Sequence, residues 1–231
     1  MKNQYFGDIN DYLKYALLRA FVSEGLSVGV FWMLTPNDDR ADGVKTAYLQ
    51  NAHRWRGLDP DLFDCLAEAV ASCRHISWAS DVRCLPSARF FSEMVPRDRV
   101  TRESWLIRGL NELRETDIVF FDPDNGVEVK STPLGRSGSD RYVFWPEIKE
   151  TWVRGHSLLL FQHFAHENRA DHIRRLMVRL RALAPEASIV PIMTVYVLFL
   201  LVAQERHASA ALRATVRIVA ASNGPFEMGP T

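Results

Sequence analysis

The sequence predicts an α/β fold: a doubly wound, mostly parallel sheet with helices on both faces, and with room for an antiparallel strand near the C-terminus. Three observations predict it. Strand-like segments at Val28–Leu34, Asp117–Phe121 and Ser157–Phe161 are nearly continuous in apolar residues, which suits strands covered on both faces, as in a parallel sheet. These segments alternate along the chain with stretches of helical periodicity, the order of βαβ units. Each also runs into a polar turn, and open α/β sheets bind ligands outside the carboxyl ends of their strands.

The elements follow in order. Ile9, Tyr12, Leu13, Ala16, Leu17, Ala20 and Phe21 recur at three- and four-residue intervals between an N-cap at Asp8 and a stop at Gly25, which makes this the clearest helix. The strand Val28–Leu34 is next, then a polar loop from Thr35 to Gly43. Asp59-Pro60 opens a helix through Leu62, Phe63, Leu66 and Val70. A short strand near His75–Trp78 and a helix from Pro86 to Met94 are expected after it. Thr101 caps a helix through Trp105, Leu106, Leu110 and Leu113, and the strand Asp117–Phe121 leads directly into Asp122. Pro146, at a first helical position, starts a short helix ending near Gly155. The strand Ser157–Phe161 delivers Gln162 and His163. A helix from Asn168 to Leu183, strand-like segments between Ile189 and Ala203, a helix from Ala208 to Ala221 and a Gly/Pro tail complete the order.

Composition narrows the function classes. No Gly/Ser/Pro-rich linker divides the 231 residues, so one domain over 1–231 is expected. Lys+Arg and Asp+Glu both number 28, so no global positive field draws the chain onto nucleic acid or an anionic membrane, and any nucleic-acid contact is local. The longest apolar stretch, around Val195–Ala203, is about half of the roughly 20 residues a membrane span needs, so no membrane partner is expected. Cys65, Cys73 and Cys84 form neither an even disulfide set nor a CxxC pair, and the start of the chain lacks a signal-peptide layout. A reducing, cytoplasmic setting is the expectation.

The chemistry-bearing residues gather in the turns. Asp122-Pro-Asp-Asn-Gly126 packs two carboxylates and an amide behind Phe121; proline fixes one φ and Asn-Gly tolerates positive φ, so the turn can hold Asp122, Asp124 and Asn125 outward over a ligand, or be a turn and nothing more. His163 can serve as general base, metal ligand or hydrogen-bond partner, with Gln162 on the opposite face. Asp38, Asp39 and Asp42 can accept ribose hydroxyls or hold a metal through hard oxygens. Asp124, Glu128 and Lys130 match the acid and Glu-x-Lys set with which metal-dependent nucleases hold Mg²⁺, compressed onto neighbouring positions. His53-Arg-Trp-Arg56 and, more loosely, Arg136, Arg141 and Tyr142 combine cations with rings that could clamp phosphate or stack a base. Arg174, Arg175, Arg179 and Arg181 are expected on the solvated face of their helix.

Tyr5-Phe-Gly-Asp-Ile-Asn-Asp-Tyr-Leu-Lys-Tyr15 resembles the opening of the bacterial large-subunit ribosomal RNA adenine methyltransferases. The order of elements, with Asp122-Pro123 after the strand that carries the family's Asp-Pro motif and Pro86-Ser87 similar to its Pro-Gly-Ser turn, extends the resemblance over roughly Tyr5 to Leu183. It implies a Rossmann-like, class I S-adenosylmethionine-dependent fold. Asp122 would accept hydrogen bonds from a target amine, and Lys14, Tyr15 and Ser87 would lie near the cofactor. The family's glycine-rich cofactor loop falls on Thr35-Pro-Asn-Asp-Asp39, which would place Thr35 and Asp38 there too. Asp124-Asn125 stands where the family has Pro-Tyr, and its polarity suits a polar substrate or a metal.

The expectation is therefore a methyltransferase-like enzyme acting on a nucleotide or nucleic acid, with Asp122, Asp124, Asn125 and His163 at its centre and S-adenosylmethionine as cofactor. The alternatives are a metal-dependent nuclease or phosphodiesterase using Asp122, Asp124 and Glu128 around Mg²⁺, and a non-catalytic binding descendant of the fold.

Overall fold

The structure, a computed structural model, describes residues 1–37, 45–164, 167–222 and 224–229. Its first long helix, α1 (Ile9–Ser23), begins where the Asp8 carboxylate accepts the Asp11 amide proton, satisfying one of the donors left over at a helix start. Then follow β1 (Val28–Phe31), α2 (Ala52–Trp55), α3 (Pro60–Ser72), β2 (Arg89–Phe91), α4 (Arg99–Glu112), β3 (Ile118–Phe121), β4 (Gly126–Val127), β5 (Tyr142–Val143), α5 (Trp145–Val153), β6 (Ser157–His163), α6 (Arg169–Leu183), β7 (Ser188–Met193), β8 (Val197–Ala203), α7 (Glu205–Ala221) and β9 (Glu227–Met228).

The main sheet has the order β2-β1-β3-β6-β8-β7-β9, and β4 and β5 form a separate parallel pair. β1 pairs in parallel with β2 and β3, and β3 with β6. β8 lies antiparallel between β6 and β7, and β9 is antiparallel to β7. The sheet is thus mostly parallel, with β8 and β9 running against the rest. Every residue of β1 and β3 is buried, because helices cover both faces. The side chains of α1, α3 and α7 join Val28, Val30, Phe120 and Phe161 in one core, while those of α4, α5 and α6 join Phe31, Phe121, Leu158 and Leu160 in the other. The apolar strand runs are the sequence trace of that double cover.

Register places the strand ends level. Phe31 is opposite Phe121, and Phe121 opposite Leu160, so the chain leaves β1, β3 and β6 on one side of the sheet. After β1 the chain builds outward to β2, then returns to lay β3 on the other flank of β1. The order therefore reverses between β1 and β3, the kind of point where open α/β sheets form a ligand crevice.

Three expectations need correction. Residues 86–94 form no helix: Arg89–Phe91 pairs with β1 as the outer strand, and Ser87 sits at φ 60, in the left-handed region that a helix does not use. Pairing with an open sheet flank outweighs local propensity here. The segment at His75–Trp78 is a 3₁₀ turn, Ile76–Ser80, whose start is capped by the His75 side chain. Cys65 and Cys84, 19 residues apart in sequence with Cα atoms 6.0 Å apart, form a disulfide that ties α3 to the turn before β2, and Cys73 is the exposed remainder. The odd cysteine count hid that pair. Among the described residues no helix is long and apolar enough to cross a membrane.

Candidate functional site

The turn after β3 is held from both sides. Gly126 lies at φ +106, and a Cβ on it would run into the Gln162 side chain. Glycine lets the backbone pass this close. The Gln162 carbonyl oxygen accepts the Val127 amide proton at 2.8 Å, and its NH₂ donates to the His163 carbonyl at 2.7 Å, which fastens the turn to β6. On the far side the Asn125 amide donates to Arg141 O and the Glu128 amide to Val143 O, both at 2.9 Å. Residues 122–128 are thereby stitched between β6 and β5.

Beneath this turn lies a buried cluster of charge. Asp11 and Lys14 stand one turn apart on α1, and the Lys14 ammonium reaches the Asp11 carboxylate at 2.8 Å and the Asp122 carboxylate at 2.9 Å, all three side chains 3% exposed or less. The second Asp11 oxygen accepts the Gly7 amide proton at 2.9 Å. The Phe161 ring centroid is 4.8 Å from the Lys14 nitrogen, so the cluster sits against aromatic surface of low polarity. Burial alone would push the Lys14 pKa down, but Asp11 and Asp122 outweigh it and hold the amine above its ordinary value, charged at every working pH. For Asp8 and Asp11 the balance goes the other way: burial, with mutual repulsion for Asp8 and the Asp122 charge for Asp11, raises both, Asp8 to about 7.

Asp124 belongs to a second group. One of its oxygens meets the Met1 amine at 2.7 Å and the other accepts the Thr35 hydroxyl proton at 2.6 Å. The same amine donates to Met33 O at 2.9 Å and Asp122 O at 3.2 Å. Met33 turns the chain after β1 at φ 48, an uncommon conformation for a side-chain-bearing residue, and such backbone gathers at ligand clamps and switches. Burial works to raise the Asp124 pKa, but the Met1 amine and Thr35 hydroxyl outweigh it and hold the carboxyl below its usual range.

These groups wall one cavity of about 1230 Å³. Asp122, Asp124, Asn125, His163 and Lys14 all line it, as does Glu128, whose pKa burial raises. Thr35 reaches it only through its bond to Asp124. Two expected cofactor residues lie elsewhere. Tyr15 is fully buried in the core, packed on Trp32 and Phe6, because its position on α1 faces the sheet rather than the cavity. Ser87 is exposed and precedes β2, which puts it at the amino ends of the parallel strands, across the sheet from the cavity. Asp38, with Asp39 and Asp42, lies outside the described residues. His53–Arg56 does not reach the site either: Trp55 packs on Tyr12 and Arg56 pairs with Asp64.

His163, the exposed last residue of β6, lines the cavity with its ring edge-on to Phe161, centroids 4.9 Å apart. Loss of hydration, then the Lys14 charge, lowers its pKa, so at neutral pH it is a neutral imidazole able to accept a proton. The opposite wall is cationic and aromatic. Lys130, Arg141, Arg175 and Arg179 face the cavity with Tyr142 and Trp145, and the Arg179 guanidinium lies 4.5 Å from the Trp145 centroid. Arg175 and Arg179 are therefore not merely the solvated face of α6. Among the described residues no group of three or more His, Cys, Asp or Glu gathers as a metal would require.

Comparison with protein-family models and with curated proteins finds no match. The geometry is therefore the argument. Sequence reasoning missed Asp8, Asn10 and Asp11, all of which line the cavity, because Asp8 was explained by its capping role. The signal was present: polar side chains at three-residue spacing on a helix whose first ten residues, Ile9–Leu18, are otherwise aliphatic or aromatic apart from Asn10 and are all buried.

Proposed function

We propose that this protein is a methyltransferase-like enzyme of Rossmann-like architecture, taking a nucleotide or nucleic-acid substrate in the cavity at the carboxyl ends of β1, β3 and β6. The observation that carries the reading is the convergence of Asp122, Asn125, His163 and Lys14 on one cavity at the reversal of strand order. The mostly parallel sheet with an antiparallel strand near the C-terminus is the arrangement the sequence predicts, and the reading builds on it. An open cavity lined by Asp122, Asn125 and His163 also favours a working site over a filled, non-catalytic remnant.

The size and chemistry of the cavity fit S-adenosylmethionine together with a substrate. Small-molecule sites usually measure about 300–1,000 Å³, and this one is about 1230 Å³. Carboxylates of Asp8, Asp11 and Asp122 offer acceptors to a positively charged ligand, while the Arg141, Arg175 and Arg179 wall suits phosphate and the half-buried Tyr142 ring a stacked base. S-adenosylmethionine would supply an electrophilic methyl group. The chain's part is orientation: Lys14 fixes the Asp122 carboxylate, and Gln162 fixes the turn that carries it. Holding reactants in place contributes several kcal/mol, up to about 7 to 11 in the best model reactions.

The Mg²⁺-dependent phosphodiesterase reading draws less support. It needs Asp122, Asp124 and Glu128 to share an ion, whereas Lys14 occupies an Asp122 oxygen and the Met1 amine and Thr35 occupy those of Asp124. Isothermal calorimetry with millimolar S-adenosylmethionine decides the methyltransferase reading. Saturable heat, lost in Asp122→Ala, is the expected result, and absence of heat with the parent protein removes the reading.

A further inference from the structure

The cationic wall of the cavity is built from two elements. On α6 the residues that line it are His172, Arg175, Leu176 and Arg179, which at spacings of three and four residues form one face of the helix. The Arg175 guanidinium is taken up by both oxygens of Glu167, at 2.6 and 2.8 Å. That of Arg179 lies on the Trp145 ring and meets Glu128 at the longer distance of 3.3 Å. From the segment between β4 and β5 come Lys130 and Arg141, which have no carboxylate partner among the described residues. The Arg141 carbonyl accepts the Asn125 amide proton at 2.9 Å, so this wall is tied directly to the Asp122 turn. Three cations, Lys130, Arg141 and Arg179, thus face one cavity with little counter-charge, and guanidinium groups present several donors in a plane that matches phosphate.

The rest of the described surface is different. Over the whole chain the formal charges cancel, 28 Lys and Arg against 28 Asp and Glu. Arg56, Arg83, Arg89, Arg108 and Arg213 lie outside the cavity, and each holds a carboxylate. Among the described residues, the exposed cations outside the cavity with no partner are Arg136, Lys149 and Arg181, one each on the loop before β5, on α5 and on α6. Single charges on separate elements do not make a track. A nucleic-acid strand spreads its phosphates along its length and is held by a basic patch or groove that follows its backbone. A free nucleotide needs only the cations gathered in one pocket.

We propose that the substrate of this cavity is a free nucleotide and not a nucleic-acid strand, with its phosphate among Lys130, Arg141 and Arg179, its base against the Tyr142 ring, and its reacting group toward Asp122 and His163. Charge that is unbalanced inside the cavity and balanced around it selects a ligand whose own charge is confined to one end. The proposal rests on the reading of this cavity as the site of a nucleotide or nucleic-acid enzyme and narrows its substrate. It does not depend on the methyl donor.

Calorimetry with the full chain tests it, using the four nucleoside 5′-monophosphates in ribo and deoxy form and single strands of twelve nucleotides carrying the same bases. At least one monophosphate is expected to bind saturably, and the strand of the same base to bind no more tightly. Arg141→Gln and Arg179→Gln are each expected to weaken the monophosphate tenfold or more, whereas Arg181→Gln, exposed on α6 and outside the cavity, is expected to leave it unchanged. A strand that binds more tightly than its monophosphate overturns the proposal while leaving the enzyme reading intact, and its salt dependence, with a double-logarithmic slope of about 0.7 per neutralised phosphate, counts the contacts it makes. Loss of affinity in Arg181→Gln as large as in the two cavity variants also overturns it, because the attraction is then diffuse. If no monophosphate binds, the proposal falls whatever the S-adenosylmethionine titration shows, since that ligand carries no phosphate. The comparison of monophosphate with strand uses the parent protein, so it decides even where a variant fails to fold.

Discussion

The two ends of the parallel strands both bury ionisable side chains, and they do so in opposite ways. At the amino ends, Ser157 shares a 2.9 Å hydrogen bond with His207 Nδ1, and His207 Nε2 meets Asp117 at 3.1 Å. Asp117 accepts both the amide and the hydroxyl of Ser27, and Ser157 accepts the Gln204 amide. The residue types are those of a hydrolytic triad, but the serine faces Nδ1 instead of Nε2 and is wholly buried. This network is a tie between β1, β3, β6 and α7. At the carboxyl ends, by contrast, two buried carboxylates, Asp11 and Asp122, divide the Lys14 ammonium between them, the Asn10 side-chain oxygen stands open among the described residues, and a cavity adjoins. The lesson is that satisfaction, rather than the presence of Ser, His and Asp, separates a structural network from a site.

The largest expected effect breaks the carboxyl-end cluster. Lys14→Met leaves Asp11 and Asp122 buried without their ammonium, and removing one partner of a buried ion pair costs about 3–5 kcal/mol. Urea unfolding at pH 7 checks it. A loss below about 1 kcal/mol would mean that water reaches these carboxylates freely. Adding Asp122→Asn to Lys14→Met is expected to recover part of the loss, since it removes one of the stranded charges.

How far this contrast was legible in the sequence depends on the range of the interactions. The strands Val28–Phe31, Ile118–Phe121 and Ser157–His163 were readable because double cover writes itself as an unbroken apolar run. The Asp122 turn was readable because it ends such a run. Helix α1 carried its cap and its period openly. What was not readable is held by contacts between distant residues. Asp8 served as a local cap; its spacing from Asp11 and Lys14 marks a polar strip on a buried helix, but only the Lys14–Asp122 contact between α1 and β3 places that strip beside Asp122. Arg175 and Arg179 have the spacing of a solvated face, and only the position of α6 beside β4 and β5 turns them to the cavity. Ser87 belongs to a turn resembling one in the family, yet the pairing of Arg89–Phe91 with β1 carries it to the far side of the sheet. The Ser157–His207–Asp117 chain links three elements that no motif connects.

The second effect is a pH dependence of opposite sign at the two ends. The folded state keeps the Asp8 proton up to about pH 7, while the unfolded chain loses it near the ordinary value of 3.8. The stability contributed by Asp8 is therefore fully present below about 3.8 and is lost as pH rises through about 7. At the amino end burial works to raise the Asp117 pKa, but Ser27 hydrogen bonds outweigh it and lower it, and burial lowers that of His207. Both contributions are present at high pH and are lost on acidification. Asp124, although on the cavity wall, follows the same sense. Asp8→Asn is therefore expected to gain stability over the parent at pH 8 and little at pH 4.5, by something on the order of 2 to 4 kcal/mol at 1.4 kcal/mol per pKa unit. Equal gains at both pH values would show that Asp8 ionises normally.

The smallest effects sharpen the comparison most, because they separate stability from binding. Ser157→Ala removes a partner from both His207 and the Gln204 amide in a sealed interior, which costs about 1–3 kcal/mol for groups left unsatisfied. It lies at the wrong end of the sheet to touch a ligand, so the affinity of any cavity ligand is expected to stay unchanged. Gln162→Ala removes the acceptor of the Val127 amide and the clamp between β6 and the Asp122 turn. Gln162 itself lines the cavity, so water from that side can take over the Val127 amide, and a water-mediated bond is nearly as good as a direct one. The stability loss is expected to be about 1 kcal/mol, in the range of a single exchanged hydrogen bond. Yet the turn that aims Asp122 loses its tether, and ligand affinity measured by calorimetry is expected to fall roughly tenfold or more, about 1.4 kcal/mol. The variant that destabilises more should thus bind normally, and the one that destabilises less should bind poorly. If the two lose affinity in proportion to stability, the amino-end tie and the carboxyl-end turn act as one rigid unit, and the division between scaffold and site drawn from their hydrogen bonds is wrong.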